Sequence, residues 1–345
     1  MASADLQSTA QALVAEGKGI LAADESFPTI EKRFKSLNIP STEENRRSYR
    51  EMLFTATGIG DYISGVIMFD ETIRQSTSDG TPFVEVLKLN GVIPGIKVDQ
   101  STRPLANAPG EKITEGLDGL RDRLAEYRDL GARFTKWRAV ITIGDGIPSR
   151  YCILANAEAL ARYAALSQEA GLVPIVEPEV LMDGDHTIER CFEVTTETLH
   201  RVFDSLYEHR IELEGMLLKP NMVLPGKSSG QEAGPEEVAE WTLRCFRHTV
   251  PAAVPGIVFL SGGQSNEMAT ANLNAMNAAE GPRPWQLSFS YGRALQDPPL
   301  RAWAGDRAKA AKAQKAFYHR AKCNGAARSG SYSDSMEKEL VVAGA

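Results

Sequence analysis

The sequence predicts a (β/α)8 barrel built as a single domain, and three observations carry that expectation. Eight short β-rich runs recur along the chain, helical patterns fill most of the gaps between them, and no early strand is followed by a Gly-x-Gly-x-x-Gly turn. Alternating strands and helices imply a mainly parallel sheet. Eight such strands with repeated crossovers close into a barrel. The rival, a doubly wound open sheet, usually carries that glycine turn. The length of 345 residues fits one barrel or two average domains, since barrels routinely use ~250 residues or more.

The β-rich runs lie at 19–24, 63–69, 92–99, 134–141, 172–179, 215–222, 256–263 and 285–292. Between them, residues 149–170 place Ile153, Ala157, Leu160, Ala161 and Ala164 on one helical face. Ser149 is its expected N-cap and Gly171 its expected stop. Residues 188–209 align Ile188, Phe192, Leu199, Phe203 and Leu206 in the same way, and Ser41-Thr-Glu-Glu44 reads as a capping box opening a helix through Leu53. Further helices are expected at 116–130, 235–249, 265–277 and roughly 298–321. From Cys323 the chain turns small, polar and aperiodic, so the expected division is a barrel over 1–322 and a mobile tail over 323–345.

Composition narrows the class of function. With 43% hydrophobic and 24% charged residues, the chain is neither wholly disordered nor collagen-like. Its net charge of −7, with no basic run longer than Arg46-Arg47, argues against a nucleic-acid partner. No stretch approaches the ~20 apolar residues of a membrane span. The N-terminus lacks the basic and apolar regions of a secretory signal. The four cysteines are far apart with no Cys-x-x-Cys pair, and read as free thiols in a reducing cytoplasm. The five scattered histidines form neither His-x-His nor His-Glu-x-x-His, so no metal centre is expected. Asp183-Gly-Asp-His186 reads as a turn, and the run from Asn221 to Ser228 lacks the first glycine of a P-loop.

Chemistry in such a barrel sits at the C-terminal ends of the strands. There the runs carry Asp24, Lys97 with Asp99, Lys136 with Arg138, Glu177 with Glu179, Lys219, and Arg293. Alternation puts Lys136 and Arg138 on one face, and likewise Glu177 and Glu179. One buried charge is usually a structural ion pair. So many at one end form either a self-neutralising ring or a reactive site, and the barrel itself gives no reason to need the ring. Three converging lysines suit nucleophilic catalysis, because neighbouring cations and burial favour the neutral amine that attacks a carbonyl. The residues alone leave Lys97, Lys136 and Lys219 as alternatives. Glu177, beside Lys136, is placed to serve as a general acid. Ser261-Gly-Gly263 and Gly292-Arg293 offer backbone N–H groups, a hydroxyl and a guanidinium for a phosphate.

Seven segments then resemble class I fructose-bisphosphate aldolases: Lys18-Gly-Ile-Leu-Ala-Ala-Asp-Glu-Ser26, Gly95-Ile-Lys-Val-Asp99, Lys136-Trp-Arg138, Ile175-Val-Glu-Pro-Glu179, Leu217-Leu-Lys-Pro-Asn-Met222, Leu260-Ser-Gly-Gly-Gln-Ser265 and Phe289-Ser-Tyr-Gly-Arg-Ala294. The resemblance runs from about Lys18 to Lys322. It implies reversible cleavage of fructose 1,6-bisphosphate to dihydroxyacetone phosphate and glyceraldehyde 3-phosphate in glycolysis and gluconeogenesis, with no metal or cofactor. It also implies a homotetramer.

By resemblance, Lys219 forms the Schiff base, Glu177 is the acid/base for carbinolamine chemistry, Lys136 assists it, and Asp24 orients the lysine and the C4 hydroxyl. Ser261, Gly262, Gly292 and Arg293 match the C1-phosphate site. Ser26, Arg33, Lys97 and Arg138 match other substrate contacts. Glu179 and Ser290, at the same strand ends, join them as candidates.

Two departures stand out. Where the family commonly has Thr-Gly-Ser, this chain has Phe27-Pro28-Thr29, so Thr29 keeps the hydroxyl while Pro28 stiffens the loop. Animal members end in a tyrosine that assists proton transfer, whereas this sequence ends Val-Val-Ala-Gly-Ala345, with Tyr332 as its tail tyrosine. A lyase preferring another bisphosphate, such as sedoheptulose 1,7-bisphosphate, is the second enzyme reading. A non-catalytic binding barrel is the third.

Overall fold

The computed structural model describes residues 2–342. Eight parallel strands close into a barrel: β1 (Gly19–Ala23), β2 (Ile63–Met68), β3 (Ile93–Lys97), β6 (Phe134–Ile141), β7 (Val173–Val180), β8 (Leu217–Leu218), β9 (Gly256–Phe259) and β10 (Gln286–Tyr291). Each strand pairs with its neighbour in chain order, and β1 pairs with both β2 and β10 to close the ring. Strands β4 (Thr102–Pro104) and β5 (Lys112–Thr114) form a separate antiparallel hairpin beside the mouth.

Alternation along each strand divides the core in two. Ile20, Ala22, Ile67, Phe134, Val173, Ile175, Leu217 and Val258 form the interior cluster of the lower barrel. Leu6, Ala10 and Leu13 join it from the N-terminal helix Ala2–Leu13, with Val14 just after it, so this segment plugs the bottom. Gly65 lets that plug seat: a Cβ there would lie 2.6 Å from Leu13. The opposite strand faces pack against the helices in one large continuous core.

Moving two residues up each strand changes the interior from apolar to charged. On β6 the sequence is Phe134, Lys136, Arg138; on β7 it is Ile175, Glu177, Glu179; past β8, Leu217 gives way to Lys219. Along these strands the inward charge thus sits at one end of the barrel, with an apolar floor beneath.

The expected elements differ in three places. The strand expected over 215–222 is reduced to two residues, because Pro220 interrupts the ladder and Lys219 to Met222 run on as an irregular mouth segment. The helix expected over roughly 298–321 is two helices, Arg293–Trp303 and Ala310–Ala327, broken where Ala304 and Gly305 take left-handed φ of 48° and 80°. The capping box shifts by one residue, with Thr42 accepting from the Asn45 N–H at 3.1 Å. Ser149 does cap its helix, accepting from Cys152 N at 3.1 Å, and Gly171 takes φ of 74° at its end.

The expected barrel–tail boundary at 322/323 falls inside the helix ending at Ala327. The small residues that hid its periodicity allow close packing, with Cys323 and Ala327 fully buried. Beyond it Tyr332 is buried, and a last helix spans Asp334–Val342. Residues 343–345 of the expected tail lie outside the described ones.

Candidate active site

Every residue expected at the site lines a single cleft of about 710 Å³ at the C-terminal mouth of the barrel. At its floor a chain of alternating charges joins residues on or just past four strands, β1, β6, β7 and β8. Lys136 Nζ lies 2.6 Å from Asp24 Oδ2 and 3.3 Å from Glu177 Oε2, and Lys219 Nζ lies 3.3 Å from Glu177 Oε1. All four residues are buried. Two ammonium and two carboxylate groups cancel, which makes their joint burial tolerable. Glu177 Oε2 faces the Lys136 ammonium at 3.3 Å and makes no other hydrogen bond.

The expectation that the lysines press on one another is corrected at Lys136. Burial pulls its ammonium toward neutrality, but Asp24, Glu177 and Asp99 overcome that and raise its pKa. Lys136 is therefore a fixed cation. Asp24 is its counterpart: burial opposes its ionisation, yet Lys136, Lys219 and Lys97 hold its carboxyl well below the usual range. Each of the three lysines has a carboxylate within contact distance, including Lys97 with Asp99 at 2.6 Å.

The walls are built for anions. The Ser261–Gly262–Gly263 turn follows β9, and Gly263 adopts φ of 80°, a conformation that favours glycine. A Cβ on Gly262 would lie 2.8 Å from the Glu179 carboxylate. Gly292 caps the helix Arg293–Trp303, whose first N–H groups have no intrahelical acceptor. Arg293 donates to Gln264 O at 3.0 Å and has no carboxylate partner among the described residues. By contrast Arg138 pairs with Glu179, Lys97 with Asp99, and Arg33 with Glu25. Ser290 Oγ is buried without a hydrogen-bond partner. Ser26 Oγ and Thr29 Oγ1 lie 3.2 Å apart at the start of the helix Phe27–Lys35.

Sequence reasoning missed two contributors. Lys32, on that helix, also lines the cleft without a carboxylate partner among the described residues, so its charge adds to that of Arg293. Glu25 is buried on the face opposite Asp24. It accepts from Arg33, from Arg50 Nη2 at 2.5 Å and from Gln296 Nε2 at 2.8 Å. Burial would raise its carboxyl, but Arg33 and Arg50 hold it below the ordinary value. Alternation was the available signal: a carboxylate one residue beyond an inward Asp24 must point into the helix layer, where it needs cations. Glu25→Ala strands the buried Arg50 guanidinium. It is expected to lower unfolding free energy by about 3–5 kcal/mol, as read from urea melts. A loss below about 1 kcal/mol would show that the network contributes little.

A family model described as fructose-bisphosphate aldolase class-I matches residues 5–343. A probable fructose-bisphosphate aldolase class 1 of Xanthomonas axonopodis pv. citri is 60% identical over 333 residues, covering 96% of this chain and 99% of that protein. The cytosolic fructose-bisphosphate aldolase 4 of Arabidopsis thaliana is 57% identical over 316 residues, covering 92% of this chain and 80% of that protein. Among solved structures, fructose-bisphosphate aldolase from Plasmodium falciparum, crystallised with TRAP and a small-molecule inhibitor, superposes with a TM-score of 0.95 at 49% identity, covering 96% of both chains.

Proposed function

This chain belongs to the class I fructose-bisphosphate aldolases, and from that premise we propose that it cleaves its sugar bisphosphate through a Schiff base on Lys219, with Glu177, Lys136 and Asp24 handling protons and charge. The observation that carries this reading is the charge chain Asp24–Lys136–Glu177–Lys219 on the cleft floor.

Lys219 passes a proton to the Glu177 carboxylate 3.3 Å away, and the freed amine attacks the C2 carbonyl to give the carbinolamine. Glu177 then returns that proton to the departing hydroxyl, so water leaves and the iminium forms. The iminium is the electron sink. Asp24 accepts the C4 hydroxyl proton, the C3–C4 bond breaks, and its electron pair moves into the enamine as glyceraldehyde 3-phosphate departs. Protonation at C3 and addition of water then release dihydroxyacetone phosphate and restore the amine. The fixed Lys136 cation keeps Asp24 ionised and steadies the Glu177 carboxylate. The turn at Ser261–Gly263, Gly292 and Arg293 hold the C1 phosphate. Ser26, Thr29, Lys32 and Arg33 hold the other end, with Lys97, Arg138, Glu179 and Ser290 lining the path between. This scheme asks for no metal ion.

A homotetramer working in the cytoplasm, in glycolysis and gluconeogenesis, completes the proposal. It is supported by the family and by relatives named cytosolic. No described helix is long and apolar enough to cross a membrane.

Cleavage of fructose 1,6-bisphosphate in a coupled assay is expected to survive dialysis against EDTA and assay in its presence. Complete loss of turnover in a protein that stays folded, restored by a divalent metal, would contradict the scheme. A second expectation follows from the depressed Asp24 pKa. The folded value lies below the unfolded 3.8, so the ion pair's contribution is present above that value and is lost only as pH falls below it. Between about pH 5 and pH 9 Asp24 stays ionised. Asp24→Asn is therefore expected to lower turnover by a constant factor across that range, leaving the shape of the pH–rate profile unchanged. An acid limb that disappears in the variant would assign that limb to Asp24 and contradict the account.

A further inference from the structure

On the outer side of the barrel, His319 and Cys323 sit one turn apart on the helix Ala310–Ala327, and Glu337 reaches them from the helix Asp334–Val342. Cys323 Sγ lies 3.6 Å from His319 Nε2, and Glu337 Oε2 lies 3.6 Å from the same nitrogen. A thiol beside a histidine and a carboxylate first suggests a nucleophilic relay. A relay needs the carboxylate on the ring nitrogen opposite the thiol. Here both groups face Nε2, so they converge on one point.

Convergence is what a metal ion requires. A tetrahedral ion with bonds of about 2.0 Å to nitrogen and oxygen and about 2.3 Å to sulfur places an N–O pair about 3.3 Å apart and an N–S pair about 3.5 Å apart. Both observed edges are 3.6 Å, and the three candidate ligand atoms all lie within 4.8 Å of one another. The carboxylate is also oriented for the task. Glu337 Oε1 is occupied by Arg320 and by the Tyr332 hydroxyl at 2.9 Å, which leaves Oε2 turned toward His319. Hydrogen bonds of this kind on the far side of a ligating carboxylate are a regular feature of metal sites. Cys323 and His319 are buried, while the Glu337 side chain is 23% exposed, so entry and a water ligand come from its side.

We propose that His319, Cys323 and Glu337 bind one transition-metal cation of the zinc class, tying the last barrel helix to the C-terminal helix. The mixed nitrogen, sulfur and oxygen donor set favours such an ion over calcium or magnesium. Binding forms a metal–sulfur bond as the Cys323 thiol proton passes to solvent. Two anionic ligands cancel the ion's charge, so the nearby Arg320 guanidinium meets a neutral centre.

Cobalt(II) is the probe, titrated into EDTA-treated, re-purified full-length protein. One ion per chain is expected, with a thiolate-to-cobalt charge-transfer band and tetrahedral visible bands. Cys323→Ser is expected to abolish the charge-transfer band. Glu337→Gln, at the partly exposed edge, keeps the fold testable even where the buried cysteine variant does not fold. It is expected to weaken cobalt affinity at least about tenfold, since losing even an outer partner of a ligand costs ten- to hundredfold. No charge-transfer band with cobalt in excess overturns the proposal. So does a band that persists in Cys323→Ser, or unchanged affinity in Glu337→Gln.

Discussion

Lys219→Met is expected to lower cleavage of fructose 1,6-bisphosphate at least about 10⁴-fold, the scale on which losing a covalent nucleophile acts. That corresponds to about 5.5 kcal/mol of barrier. Methionine suits the test because it keeps an unbranched chain of similar length at a buried position. The remaining partners stay paired, since Glu177 retains Lys136 at 3.3 Å and Lys136 retains Asp24 at 2.6 Å. The variant should therefore fold, with a melting temperature near that of the parent. Steady-state assay gives the first number and a thermal melt checks the second. Turnover within about tenfold of the parent would move the nucleophile to another lysine, and Lys136, Lys97 and Lys32 also line the cleft.

Glu177→Gln is the second large effect, an expected loss of about 10²- to 10⁴-fold in kcat. Glutamine preserves shape and can accept through its single oxygen from either Lys219 or Lys136, which Glu177 meets through separate oxygens, but it cannot exchange the proton that carbinolamine dehydration needs. KM should change little, because the phosphate groups are held on the walls by the 261–263 turn, Gly292 and Arg293. Schiff-base formation should slow in parallel when followed by single-turnover trapping. A variant that raises KM while leaving kcat intact would recast Glu177 as a binding group. The pair of results also separates roles: the lysine variant forms no covalent adduct, whereas the glutamine variant forms it slowly.

Much of this site was legible because strand alternation is rigid. Once Lys136 and Arg138 were read on one strand and Glu177 and Glu179 on the next, their shared face followed, and a parallel barrel brings those faces to one mouth. The apolar residues two positions below, Phe134 and Ile175, marked where the floor begins. What alternation could not reveal was pairing across strands. Lys136 read as one of three cations pressing on each other, yet Asp24 arrives from β1 at 2.6 Å and fixes its charge. That contact depends on barrel closure between β1 and β10, which no local pattern encodes.

Glu25 was missed for a related reason. Its partners Arg33, Arg50 and Gln296 come from three different helices. The N-terminal plug escaped notice because its apolar positions, Leu6, Ala10, Leu13 and Val14, include small residues that give a weak stripe. The tail was obscured likewise, as Ala and Gly carry little periodic signal even where Cys323 and Ala327 are fully buried.

Borohydride trapping tests the central claim most directly. The protein would be incubated with dihydroxyacetone phosphate and borohydride in the presence of EDTA, digested, and the adduct mapped by peptide mass. The account predicts a reduced adduct of one substrate per chain on Lys219. An adduct on Lys97 or Lys136 would contradict the assignment of the nucleophile, and a folded protein that yields no adduct would contradict the Schiff-base mechanism itself.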